Sequence, residues 1–92
     1  MKQKKQTTNM EEIVNIDFEL FSTEEIVSIF SFYSLMEKNN KHPLKKELVL
    51  NAYQNYRNII NSISLEKQYN KQFEEKTGIS IYHVIKNLKE KN

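Results

Sequence analysis

Residues 73–86 read FEEKTGISIYHVIK, and this stretch decides the fold of the chain. A helical apolar pattern ends after Phe73, Gly78 follows, and a second helical pattern begins at Ile81. Glycine just beyond the end of a helix adopts the left-handed conformation without steric cost. The stretch therefore predicts two helices joined by a sharp corner. A DNA-binding helix-turn-helix has a similar corner, so the same residues also raise a functional question.

Upstream of this corner, capping signals and apolar spacing predict two more helices. Ser22 and Glu25 have the spacing of a capping box, which marks the start of the first helix. Ser62 and Ser80 are the expected caps of the third and fourth helices. The predicted bounds of the four helices are about Thr23 to Lys38, Leu44 to Ile60, Ile63 to Thr77 and Ile81 to Glu90.

Composition favours one small helical domain. The chain has 92 residues, of which 38% are hydrophobic, with one Gly, one Pro and no Cys. So few turn-forming residues argue against a sandwich or barrel, and a chain without Cys has no disulfide framework. We predict an all-α fold, a small four-helix bundle with an irregular apolar N-terminal arm. Residues 1–9 are predicted to be a disordered basic tail, and residues 10–92 a single helical domain.

The sequence contains no motif for catalysis, metal binding or cofactor binding. His42 and His83 have no partner at metal-ligand spacing on the same face, and no nucleophile elbow surrounds any serine. No stretch approaches the roughly 20 apolar residues that cross a bilayer, and acidic residues follow the basic start. We therefore predict a cytoplasmic protein that is not an enzyme, with no cofactor and no membrane association.

The leading functional hypothesis is a protein-interaction or regulatory module. The first helix has a core stripe, and its opposite face combines apolar side chains with small serines. A helix that is apolar around most of its circumference is central in its bundle or packs on another chain. We therefore predict a homodimer, or binding of another protein, through these residues of the first helix: Val27, Ser28, Ser31, Phe32 and Leu35.

Nucleic-acid binding through the third and fourth helices is the alternative hypothesis. The outward face of the fourth helix would then present Tyr82, His83, Lys86 and Asn87. Two properties count against this alternative. The net charge is only +2, and Arg57 is the single arginine in the chain.

Three motifs together resemble an uncharacterised bacterial protein family, number 0223 in the UPF series. They are STEEI from Ser22, AYQNYR from Ala52, and the segment from Ser62 to Glu90. The last segment contains the pattern F-E…G-x-S-x-Y-x-V-x-K and, before it, S-x-x-x-E-K. The resemblance spans about Ile16 to Glu90 and implies a small, cytoplasmic, all-helical protein of low-GC Gram-positive bacteria. It implies no activity, ligand or partner.

The chain also departs from the pattern of that family. Asn61 stands where the resemblance implies proline, Phe21 where it implies tryptophan, and His83 where it implies arginine. The change at His83 removes a basic residue from the fourth helix and so weakens the nucleic-acid hypothesis further.

Overall fold

The computed structural model describes residues 14–90, and within this range the chain forms helices and no strands. The predictions for residues 1–9 and for the start of the arm lie outside the described residues. The prediction of an all-α, four-helix fold is confirmed. The helices are α1 (Thr23–Lys41), α2 (Lys46–Ile60), α3 (Ile63–Thr77) and α4 (Ile81–Glu90).

The predicted caps are present at three helix starts. The Glu25 backbone N–H donates to Ser22 Oγ at 3.1 Å, and Ser22 N–H donates to Glu25 Oε1 at 2.9 Å, which completes the capping box of α1. Ser62 Oγ accepts from the Leu65 N–H at 3.2 Å, and Ser80 Oγ accepts from the His83 N–H at 3.2 Å. These bonds fix the starts of α1, α3 and α4 at the predicted positions.

The connection between α1 and α2 differs from the prediction. α1 continues to Lys41, and α2 begins at Lys46 rather than at Leu44. The side chain of Asn39, inside α1, accepts a hydrogen bond from the Leu44 N–H at 2.9 Å. This bond ties the loop to α1 and holds Leu44 outside α2.

Two left-handed residues end α2 and α3. Gly78 has φ 78° and donates its N–H to the Glu74 carbonyl at 2.7 Å. Asn61 has φ 51° and donates its N–H to the Arg57 carbonyl at 2.8 Å. Asparagine tolerates this conformation, whereas proline is confined to φ near −65°. The backbone conformation at position 61 therefore cannot accommodate the proline that the family pattern implies there.

The core lies where all four helices and the arm meet. Aromatic rings form its centre: Phe32 stacks on Tyr56 with centroids 4.3 Å apart, and Tyr33 stacks on Phe73 at 4.9 Å. The buried apolar residues are Val14, Ile16, Ile29, Phe32, Tyr33, Met36, Val49, Tyr56, Ile60, Tyr69, Phe73, Ile79, Ile81 and Ile85. Val14 and Ile16 pin the described part of the arm, whereas Phe18 and Leu20 are exposed.

Phe32, which the sequence suggests as part of an intermolecular surface of α1, is buried within the chain. Its side chain is only 3% exposed, because α2 packs across this side of α1 and places Tyr56 against the Phe32 ring. Ser28 and Leu35 are half-buried beside the same contact, whereas Val27 is 57% exposed and Ser31 is exposed. The small serines therefore lie beside a helix of the same chain. A test of self-association through α1 has to substitute the exposed Val27.

Replacement of Gly78 by alanine is expected to destabilise the protein by roughly 1–2 kcal/mol, the cost of a left-handed conformation for a residue with a Cβ. No atom lies within 4 Å of the position that this Cβ would take, so the cost is conformational rather than steric. Gly78→Asn is the matched control and should lose less, because asparagine tolerates positive φ. Urea denaturation measures both, and equal losses would contradict the explanation.

Candidate functional site

One concave surface lies between α2, α3 and α4, and we call it the α2–α4 groove. It consists of two cavities of about 490 and 320 Å³, and Tyr53 of α2 and Tyr82 of α4 line both of them. The larger cavity extends along α3 past Glu66 and Lys71, and the smaller one runs along α4 to Glu90. The groove therefore has an α2–α3 wall and an α4 wall.

The α2–α3 wall is fixed by the carboxylate of Glu66, whose side chain is 13% exposed. Glu66 Oε2 accepts a hydrogen bond from the Tyr53 hydroxyl at 2.8 Å, and Oε1 lies 3.3 Å from Arg57 Nε. The Arg57 guanidinium also lies over the Tyr53 ring, 5.9 Å from its centroid. One carboxylate thus positions both a ring and a cation at the edge of the groove.

The α4 wall follows from the apolar spacing of that helix. Ile81 and Ile85 are buried, so the residue after Ile81 faces outward, and Tyr82 is 65% exposed. Lys86, one turn later, places Nζ 6.0 Å from the centroid of the Tyr82 ring. Each wall therefore presents a tyrosine ring with a cation beside it.

A hydrogen-bond chain connects this groove to the core. The Tyr56 hydroxyl donates to Asn70 Oδ1 at 2.9 Å, and Asn70 Nδ2 donates to Glu66 Oε2 at 3.5 Å. Because the Tyr56 proton is used in this way, Tyr33 is the donor in the 3.0 Å bond between the two buried tyrosine hydroxyls. The chain of donors therefore runs from Tyr33 to Glu66, and α1, α2 and α3 each contribute to it.

Burial keeps the tyrosines of this network protonated. Burial raises the pKa of Tyr33 and of Tyr56 well above the ordinary tyrosine value, and the charge on nearby tyrosines and Glu66 adds to the effect at Tyr56. Burial, followed by the hydrogen bond to Glu66, raises the pKa of Tyr53 to about 12. At neutral pH all three hydroxyls are hydrogen-bond donors, which suits positioning rather than proton abstraction.

The structure separates the two sets of residues singled out from the sequence. The four residues predicted on the outer face of α4 are all exposed; Tyr82 and Lys86 line the groove, whereas His83 and Asn87 do not. The α1 set lies elsewhere: all but Val27 line a shallow cavity of about 250 Å³ between α1 and α2. Sequence reasoning missed Tyr53 and Glu66 as site residues, although both lie in the motifs that carry the family resemblance.

Among residues 14–90 no cluster of three or more His, Cys, Asp or Glu side chains is arranged to hold a metal ion. None of the helices in that part of the chain has the length and hydropathy of a membrane-spanning segment.

Fold and site together define a small all-α domain with a groove walled by tyrosines and cations. The chain belongs to the uncharacterised protein family UPF0223, whose model matches residues 14–92. No solved structure shows a significant match.

Similar proteins occur in several low-GC Gram-positive bacteria, and the relatives described here carry the family name. The chain is 40% identical to a UPF0223 protein of Oceanobacillus iheyensis over 74 residues, which cover 80% of this chain and 84% of that protein. It is 41% identical to one of Streptococcus mutans, with 77% of each chain covered. A Lactococcus lactis relative is 35% identical, with 87% of each chain covered. None of these names states an activity.

Replacement of Tyr56 by phenylalanine is expected to destabilise the protein by roughly 1–3 kcal/mol, because the buried Tyr33 hydroxyl loses its partner. Tyr33→Phe should cost less, about 0.5–1.5 kcal/mol, since the Tyr56 hydroxyl keeps its bond to Asn70. The double variant should cost less than the sum of both, because neither hydroxyl is then left unpaired. Urea denaturation of the four proteins measures this, and additive losses would contradict the hydrogen-bond chain.

Alkaline pH is expected to destabilise the protein partly through Tyr53. The unfolded chain releases this phenolic proton near pH 10.0, whereas the folded chain holds it to about 12. The raised folded pKa therefore contributes stability below pH 10.0 that is lost as pH rises toward about 12. Unfolding free energies measured over this range should fall less steeply for Tyr53→Phe than for the wild type. Parallel curves would show that Tyr53 has no raised pKa.

Proposed function

We propose that this protein is a non-enzymatic protein-interaction module that binds a partner protein through the α2–α4 groove. The observation that carries the proposal is the exposure of Tyr82 (65%) and Ile63 (67%) on the larger cavity of the groove. Tyrosine side chains are enriched at the energetic centres of protein interfaces, because they offer a rigid apolar ring and a polar end. Neither side chain is needed in the core.

The motif residues that line the groove support the same surface. Tyr53 and Arg57 come from AYQNYR, Glu66 from the S-x-x-x-E-K run, and Tyr82 and Lys86 from the last motif, and all five line the groove. Other residues of these motifs have folding roles, such as the buried Phe73 and the left-handed Gly78. Folding does not account for the exposed tyrosine and lysine on α4, whereas binding does.

The charges in the groove favour a protein over a nucleic acid. Glu66, Glu74 and Glu90 lie among the lysines of its two cavities, so the groove has no uninterrupted positive surface for a phosphate backbone. The only arginine, Arg57, already pairs with Glu66. A protein partner carries both signs of charge and can match such a mixed surface, whereas a phosphate backbone cannot.

A second copy of the chain remains the alternative partner, through the α1 surface predicted from the sequence. Val27 is the large exposed apolar side chain of that surface. Because Phe32 is buried, the α1 surface offers no aromatic side chain to a partner. We therefore place the groove first and use Val27 as the comparison site.

Affinity capture from a lysate of the source bacterium tests the proposal with two matched variants, Tyr82→Ala and Val27→Ser. Both positions are exposed, so both variants should fold, which circular dichroism checks. The wild type and Val27→Ser should capture the same protein with and without nuclease, and Tyr82→Ala should weaken capture by about tenfold or more.

Three results would contradict the proposal. Capture that disappears with nuclease would indicate nucleic acid as the ligand. Capture that depends on Val27 and not on Tyr82 would assign binding to α1. Equal capture by all three proteins would show that neither surface binds.

A further inference from the structure

We infer that the occupant of the α2–α4 groove is an acidic segment of the partner protein, with an apolar anchor side chain flanked by carboxylates. This inference rests on the proposed function and names the chemistry of the partner. It follows from the charges along the groove, from the two tyrosine rings and from the cation beside each ring.

Unpaired lysines dominate the polar rim of the groove. Its two cavities are lined by Lys67, Lys71, Lys86 and Lys89, against Glu74, Glu90 and the Arg57-paired Glu66. Within residues 14–90 none of these four lysines forms an ion pair. Complementary charge on a partner would come from Asp and Glu side chains, which speed encounter and set orientation. The rim therefore selects a segment that is predominantly acidic.

The apolar part of the groove lies between the tyrosines. Tyr53 and Tyr82 border both cavities, and Ile63 and Ile85 add aliphatic surface to one cavity each. The exposed Tyr82 ring and Ile63 gain most when an apolar side chain removes them from water, and the half-buried Tyr53 ring gains less. A segment that contains only charged side chains would leave this apolar surface exposed to water. The occupant therefore carries at least one aromatic or large aliphatic side chain.

The cations beside the rings fix where the carboxylates lie. Arg57 is 5.9 Å from the centroid of Tyr53, and Lys86 is 6.0 Å from the centroid of Tyr82. An anchor held between these rings has a cation on either side of it. Acidic residues next to the anchor in the partner sequence can reach Lys86, which forms no ion pair within residues 14–90, whereas distant ones cannot. On the other side, Arg57 is shared with Glu66 and contributes a weaker attraction. The expected pattern is an apolar residue with Asp or Glu within a few positions on both sides.

Selection from a random peptide library displayed on phage tests the inference without knowledge of the natural partner. The wild-type protein is the bait, and selected peptides are then synthesised and titrated against variants. Lys86→Glu reverses a groove charge, and Lys45→Glu makes the same charge change at an exposed residue that does not line the groove. Tyr82→Ala removes a ring from the groove.

The expected peptides contain an aromatic or aliphatic residue flanked by Asp or Glu. Their affinity should fall about tenfold or more with Tyr82→Ala and with Lys86→Glu, and should change little with Lys45→Glu. Added salt should weaken the binding, because the carboxylate contacts are solvent-exposed.

Other results overturn the inference in distinguishable ways. Selected peptides that are neutral or basic, yet need Tyr82, would reject the acidic partner and leave the groove as an interaction surface. Peptides that bind all three variants equally, or no selected peptides at all, would reject both the inference and the proposed function. Low-salt binding of a single-stranded oligonucleotide that needs both Tyr82 and Lys86 would assign the groove to nucleic acid.

Discussion

The hydroxyl of Tyr56 is the point at which α1, α2 and α3 depend on one another. It accepts a hydrogen bond from the Tyr33 hydroxyl in the core and donates one to Asn70 Oδ1 on α3. A buried hydroxyl without a partner is unfavourable, so the three helices have to hold these side chains in register. The stacked Phe32 ring covers the same tyrosine from the other side, which adds apolar burial to the constraint. The amide of Asn70 extends this arrangement to Glu66 on the wall of the α2–α4 groove.

Local signals in the sequence were sufficient for most of the helix bounds. Ser22, Ser62 and Gly78 act through atoms only a few residues away, and such contacts can be inferred from spacing alone. The start of α2 was misplaced because Leu44 bonds to the side chain of Asn39 across the loop. A short-range pattern carries no information about which way that amide points.

The site was predictable only in part, because its residues come from three helices. Tyr82 and Lys86 could be assigned to an outer face, since they fall outside the apolar stripe of α4. Glu66 could not be assigned a role, because its contacts with Tyr53 and Arg57 require α2 and α3 to be folded together. Phe32 differs from Glu66, because the sequence assigns it to an intermolecular surface although it is buried. The sequence marks two apolar faces on α1, but only the packing of α2 decides that the second one is internal.

The two walls of the groove are held in different ways. On the α2–α3 side, hydrogen bonds and an ion pair to Glu66 fix Tyr53 and Arg57. On the other side, α4 is anchored by the buried side chains of Ile81 and Ile85. Apolar contacts slide more easily than directional bonds, and α4 is joined to α3 through Gly78. The groove thus combines a wall whose ring and cation are oriented by directional polar contacts with a wall whose position is set by apolar packing.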